Sequence, residues 1–252
     1  MMKKILVRAD DLGYSKGINY GIYESVHRGL INNIGFMVNM EDSIHGYELI
    51  KNEDVDLGLH TVICAGRPIS TPKLIPSLVT NSGEFKPSKI YRSAKEDFVV
   101  LEEVMIEIEA QYLRFVEITG RKPDYFEGHA VESKNFVEGM RNIAQKYDVP
   151  FLEFSFEKEI VVFKNSKLRP LMYSQLPNYQ PKKILADLIE FDEDKIATPM
   201  LICHPGYLDE YITNHSSLLE PRMYEVEMAC DTQLIELAKQ HQVHFVRYSE
   251  LS

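Results

Sequence analysis

Near its start the chain reads Lys4-Ile-Leu-Val-Arg-Ala-Asp-Asp-Leu-Gly-Tyr-Ser-Lys-Gly17. An apolar run ends at a doubled aspartate, Leu12-Gly13 permits a turn, and Ser15 stands where a helix N-cap belongs, ahead of apolar residues at helical spacing. The stretch therefore reads as a strand over Lys4–Ala9, a polar turn and a helix over Ser15–Leu30. The same alternation continues downstream. Strands are expected at Ile34–Asn39, Asp56–His60, Tyr125–Glu127, Pro150–Phe156, Pro199–Cys203 and Val243–Arg247. Helices are expected at Lys134–Tyr147, Lys182–Glu190 and Met223–Gln240, and residues 61–93, with four prolines, read as loop. The strongest helical pattern is Leu101, Val104, Met105, Ile108, Tyr112, Phe115 and Val116, stopped by Gly120 and Pro123. Strand and helix alternating over this length define the α/β class and fit a (β/α) barrel, although doubly wound open sheets share the pattern.

Composition narrows the function. The chain has 252 residues, 44% hydrophobic and 26% charged, so it has the make-up of an ordinary globular protein. No linker or repeat divides it, and one domain over residues 1–252 is expected. The longest run free of Asp, Glu, Lys and Arg is Ile196–Leu208, too short for a membrane span of about 20 residues. Arg8, Asp10 and Asp11 come too early for a signal peptide, and three cysteines form no CxxC, so a cytoplasmic location is expected. The net charge is −10 and no basic run exceeds two residues, which argues against a nucleic-acid partner.

The placement of polar residues is more informative. Asp10 and Asp11 follow the first expected strand, His60 ends the third, His129 lies just past Tyr125–Glu127, and His204 follows Pro199–Cys203. The C-terminal ends of strands form the ligand-binding face of α/β folds. Two carboxylates and three imidazoles thus come to one rim. An Asp and two His suit one divalent metal, a second carboxylate can take the proton of bound water, and a third His can serve as acid or oxyanion partner. One geometric condition applies: adjacent strand residues face opposite ways, so Asp10 and Asp11 share a site only if the strand ends or bulges there.

Other residues carry weaker signals. Gly13-Tyr-Ser-Lys-Gly17 matches the G-x-S-x-G nucleophile elbow, but only 12 residues precede it, too few for the oxyanion loop, and an N-cap role explains Ser15. His27, His45, His215, His241 and His244 read as surface or structural. Cys203 reads as buried packing, and nothing marks Cys64 as activated. Tyr14, Tyr207 and Tyr211 lie in rim loops, where they either pack or face a sugar.

Arg8-Ala-Asp-Asp-Leu-Gly-Tyr-Ser-Lys-Gly-Ile-Asn-Tyr-Gly-Ile22 resembles the opening signature of the YdjC-like carbohydrate deacetylases, which include chitooligosaccharide deacetylases. Gly58-Leu-His60, Glu109-Ala-Gln111, Phe126-Glu-Gly-His129, Cys203-His-Pro-Gly-Tyr207, and Arg222 with Glu225 follow in order. The resemblance implies a distorted, TIM-like (β/α) barrel of seven or so strands. It implies Asp11, His60 and His129 as metal ligands, Asp10 as general base and His204 as the group that stabilises or protonates the reacting atoms. Arg222 either orients a site carboxylate or makes a surface ion pair. The implied activity is removal of acetyl groups from N-acetylated sugars or short oligosaccharides. The implied cofactor is one divalent ion, magnesium by family habit or zinc by the donor set. A homodimer is a family-level expectation. One departure stands out: Glu127 replaces the family's usual Asp and the histidines after His129 are missing, so a changed hold on His129 and a changed substrate are expected. Competing readings are a non-catalytic sugar- or metabolite-binding protein, a serine hydrolase using Ser15, and a metal-free glycosidase using Asp10 or Asp11 with another carboxylate.

Overall fold

A computed structural model describes residues 3–153, 159–192 and 194–252. Its elements run β1 (Lys3–Leu12), α1 (Lys16–His27), β2 (Asn33–Phe36), α2 (Ser43–Ile50), β3 (Asp56–Thr61), α3 (Ser88–Ser93), α4 (Leu101–Thr119), β4 (Phe126–Gly128) and α5 (Lys134–Tyr147). They continue with β5 (Val161–Phe163), β6 (Ser166–Leu171), α6 (Pro181–Phe191), β7 (Thr198–Cys203), α7 (Glu210–His215), α8 (Glu220–Ala229), α9 (Thr232–Gln240) and β8 (Val243–Phe245). The sheet order is β4-β3-β2-β1-β7-β6-β5, with β8 paired to the first residues of β1. Every ladder is parallel except the β5–β6 hairpin. The sheet curls as a distorted, partly open barrel, and among the described residues no ladder joins β4 to β5.

Alternation along the strands creates two cores. Ile5, Val7 and Ala9 of β1, Leu57 and Leu59 of β3, and Leu201 and Cys203 of β7 pack outward with the helices. Leu6, Met200 and Ile202 point inward and form a second cluster with Tyr125, Phe163, Val246 and Tyr248. This inner cluster fills the base of the curled sheet. The inward positions further along β1, β3 and β4 are Arg8 and Asp10, His60, and Glu127, all buried. The concave face is therefore apolar at one end and ionic at the C-terminal end, where α/β folds place ligands.

The helix boundaries follow local chemistry. Ser15 Oγ accepts from Ile18 N at 3.3 Å, and Ser133 Oγ accepts from Phe136 N at 3.1 Å, as N-caps do. Gly120 ends α4 with a left-handed φ of 71°. The single helix expected over Met223–Gln240 is two: α8 ends at Ala229, and Asp231 caps α9 by accepting from Gln233 N at 2.8 Å. A capping aspartate inside an amphipathic run breaks the helix without breaking the apolar period, which is why periodicity alone joins them. Ile34–Asn39 is shorter than expected, because β2 stops at Phe36. Of the strand expected at Pro150–Phe156, Phe151 makes one parallel bridge to Phe126, and residues 154–156 lie outside the described set. The β5–β6 hairpin was not expected; its strands are short and mixed in polarity, with Pro170 inside β6. No helix among the described residues is long and apolar enough to cross a membrane.

Replacing Ser15 by Ala removes the α1 cap. The expected loss is about 1 kcal/mol, read as a melting midpoint about 2–4 °C lower. An unchanged midpoint would mean that the cap contributes nothing.

Candidate functional site

The site begins with a bulge. Ala9 pairs with Ile34 and Leu12 with Phe36, so β1 spends one more residue than β2 between those points. The extra residue is accommodated by Asp11, whose φ is 79°, and by Gly13 at 98°. Aspartate tolerates the left-handed region better than most side chains. The bulge rotates Asp11 so that it joins Asp10 on the concave side, which meets the condition that the doubled aspartate sets. Asn19 braces the turn: its Oδ1 accepts from Gly13 N at 2.6 Å and its Nδ2 donates to Asp42 O at 2.9 Å.

All six expected site residues, Asp10, Asp11, His60, His129, His204 and Arg222, line one cavity of ≈ 340 Å³. Asp11 Oδ1 lies 3.3 Å from His60 Nε2 and 3.1 Å from His129 Nδ1, and those two nitrogens are 3.0 Å apart. Asp11 Oδ1 is buried yet makes no hydrogen bond. Two imidazole nitrogens and a carboxylate oxygen thus converge on one point, each within 3.3 Å of the others. That donor set and spacing fit one cation bound at about 2.0–2.2 Å by N and O ligands. A second group with metal-like spacing, Asp10, His60 and Glu127, shares His60. There His60 Nδ1 is already bonded to Glu127 Oε1 and Arg8 sits on the carboxylates, which leaves the Asp11 group as the better cation site.

Charge balance is local. Arg222, only 2% exposed, donates to Asp11 Oδ2 at 2.8 Å and to His204 O at 3.3 Å. The ion pair with Asp11 is buried, not on the surface. Burial alone would push Asp11 up, but His129 and Arg222 beside it hold it well below the usual carboxylate range. Burial works against a charge on His60 as well, yet Glu127 and Asp10 raise it to about 10. His204 is the opposite case: burial lowers it to about 4, so its imidazole is neutral near pH 7, and its buried Nδ1 has no partner among the described residues. Glu225 holds the His204 backbone N–H at 2.6 Å and accepts from Tyr179 at 2.7 Å; burial pushes it up to about 7.

The departure at Glu127 acts elsewhere than expected. Its carboxylate bonds His60, not His129, and the hold on His129 comes from the backbone, His129 N donating to Thr61 O at 2.9 Å. Gln111 and Glu107 of α4 secure the loop after β3: Gln111 bonds both Val62 N and O, and Glu107 accepts from Ile69 N and Ser70 N. Ser15 is a fully buried cap and no nucleophile, and burial raises the Cys64 thiol to about 12, so neither is activated. Tyr14 lines the cavity, whereas Tyr207 lies 41% exposed away from it. His215 also lines the cavity mouth, stacked on Tyr211 at 4.1 Å between ring centroids, a position its helical context does not signal.

The chain matches the family described as YdjC-like protein over residues 4–240. It belongs to the YdjC-like family. A carbohydrate deacetylase of Halalkalibacterium halodurans is 30% identical over 242 residues, covering 92% of this chain and 98% of that one. A chitooligosaccharide deacetylase of Yersinia enterocolitica is 27% identical over 267 residues, covering 99% and 100%. A crystal structure from Enterococcus faecalis V583, described as a candidate cellobiose-phosphate cleavage protein, superposes with a TM-score of 0.79 at 24% identity over 100% of both chains. That likeness gives the distorted YdjC-like barrel as the fold.

Gly35 on β2 is a residue that sequence reading missed. A Cβ there would lie 2.8 Å from Asp10 Oδ1, 3.0 Å from Glu127 Oε1 and 3.3 Å from His60 Cβ. Gly35→Ala is expected to destabilise by about 1–3 kcal/mol through overpacking, seen as a lowered melting midpoint. An unchanged midpoint would show that the ionic end of the concave face is looser than described.

Proposed function

We propose that this YdjC-like protein is a metal-dependent deacetylase that removes acetyl groups from N-acetylated sugars or short chitooligosaccharides. The observation that carries this reading is the convergence of Asp11, His60 and His129 in a cavity whose wall also holds Asp10 with one bare oxygen. The deacetylase names of relatives that align along the whole chain support the substrate class.

Asp11, His60 and His129 would hold one divalent cation. Such an ion, when bound, polarises the acetyl carbonyl and acidifies a water, chemistry that an unassisted amide resists. The chain's own residues do the rest. Asp10 Oδ1, buried and free of hydrogen bonds, accepts the proton of the attacking water. Arg222 keeps Asp11 ionised and aimed, with Oδ2 held and Oδ1 left beside His60 and His129. The sugar amine leaves only when protonated. The proton Asp10 takes from the water is the one that nitrogen needs; His204, neutral at rest, relays it from Asp10 to the leaving amine, and Glu225 fixes its backbone. The cavity is large enough for one or two sugar rings by the usual scale of small-ligand sites.

Asp10→Asn keeps the size of the side chain and removes the base. Acetate release from N-acetylchitooligosaccharides is expected to fall by at least about 10²-fold, while bound metal stays near the wild-type level. Full activity in Asp10→Asn would remove Asp10 as the base.

A further inference from the structure

Arg8 is buried on the concave face of β1, two residues before Asp10. Its Nη2 lies 2.7 Å from Asp10 Oδ2 and 3.5 Å from Glu127 Oε2, and its Nη1 donates to Tyr248 Oη at 3.2 Å. Asp10 and Glu127 stand on either side of the gap left by Gly35. Two buried carboxylates at this spacing repel each other unless a cation lies between them. Among the described residues Arg8 is the one arginine or lysine within ion-pair distance of either.

We propose that Arg8 is a positioning residue that sets both halves of the site at once. On one side it ties a single oxygen of Asp10 and leaves the other, Oδ1, buried beside Gly35 without a hydrogen bond. On the other it neutralises Glu127, whose second oxygen holds His60 Nδ1. That bond turns His60 Nε2 toward Asp11 and His129. A carboxylate on the far nitrogen of a metal-binding imidazole fixes its ring and tautomer. The guanidinium is suited to this because Nη2 faces both carboxylates while Nη1, held by Tyr248, fixes the plane of the group. Arg8 also supplies a positive charge inside the Asp10, His60 and Glu127 group. The kinetic part rests on the deacetylase reading; the metal part stands without it.

The test is a double-mutant cycle on the full-length chain, Arg8→Gln and Glu127→Gln singly and together, with Arg8→Lys as a milder variant. Zinc affinity is read by competition with a chromophoric chelator, and kcat and KM are read from acetate release. Arg8→Gln is expected to weaken zinc binding by about 10–100-fold when Glu127 is intact. It is expected to have little further effect in the Glu127→Gln background, where no charge needs balancing. The loss in kcat should persist in both backgrounds, with KM nearly constant, because Asp10 has lost its holder in each. Equal zinc losses in both backgrounds, or an unchanged kcat, would overturn the proposal. If Arg8→Gln does not fold, Arg8→Lys carries the same comparison. A wild type that binds zinc but releases no acetate overturns the deacetylase reading, and the zinc cycle alone then decides whether Arg8 acts through Glu127.

Discussion

A β-strand sends neighbouring side chains to opposite faces, so two adjacent aspartates on β1 could not reach one cavity from a regular pleat. The rest of the site depends on the single extra residue that breaks it. With Asp11 in a left-handed conformation, one carboxylate turns toward His60, His129 and Arg222 while its neighbour stays on the inward row beside Arg8. Bulges recur where a strand must re-aim a side chain. Here the bulge gives two chemically equal aspartates different surroundings, one beside His60, His129 and Arg222 and one beside Arg8 with a buried oxygen that has no hydrogen bond.

Burial then makes every charge conditional on a partner, since an unpaired ion inside a protein is costly. Arg222 balances Asp11, Arg8 balances Asp10 and Glu127, and His60 lies between Glu127 and Asp11. The exceptions are informative. Of the buried side-chain polar atoms left without hydrogen bonds among the described residues, Asp11 Oδ1, Asp10 Oδ1, His204 Nδ1 and Arg8 Nε belong to residues that line the same cavity. Isolated polar atoms of this kind mark places where a ligand or water completes the set. The ionic end of the sheet thus pairs its charges and still keeps single buried atoms without a hydrogen bond.

Much of this was legible in the sequence because strand ends and polar residues coincide. Asp10, Asp11, His60, His129 and His204 each stand at or just past an apolar run, and parallel strands bring such ends to one rim. Asp10 and Asp11 even announced the bulge, since no regular strand could use both. What the sequence hid were the partners. Arg8 opens the family signature but carries no assigned role there, and its place lies in an inward row that only the curl of the sheet closes onto Glu127. Gly35 reads as a weak point in β2, and its role is the space it leaves for three side chains from other strands. Glu127 was assigned by proximity to His129, but side chains two apart on a chain often serve different neighbours, and its partner is His60 across the β3–β4 ladder. The α8–α9 break failed for a different reason: Asp231 interrupts the helix by capping chemistry that leaves apolar spacing intact.

Whether Asp11, His60 and His129 hold one divalent metal is decided most directly by bound metal per chain, measured by elemental analysis on wild type and His129→Ala purified side by side without chelators. Close to one equivalent is expected in the wild type, either retained or regained on adding zinc, manganese or magnesium, and a small fraction of that in His129→Ala. No uptake in either protein, or equal uptake in both, would contradict that expectation.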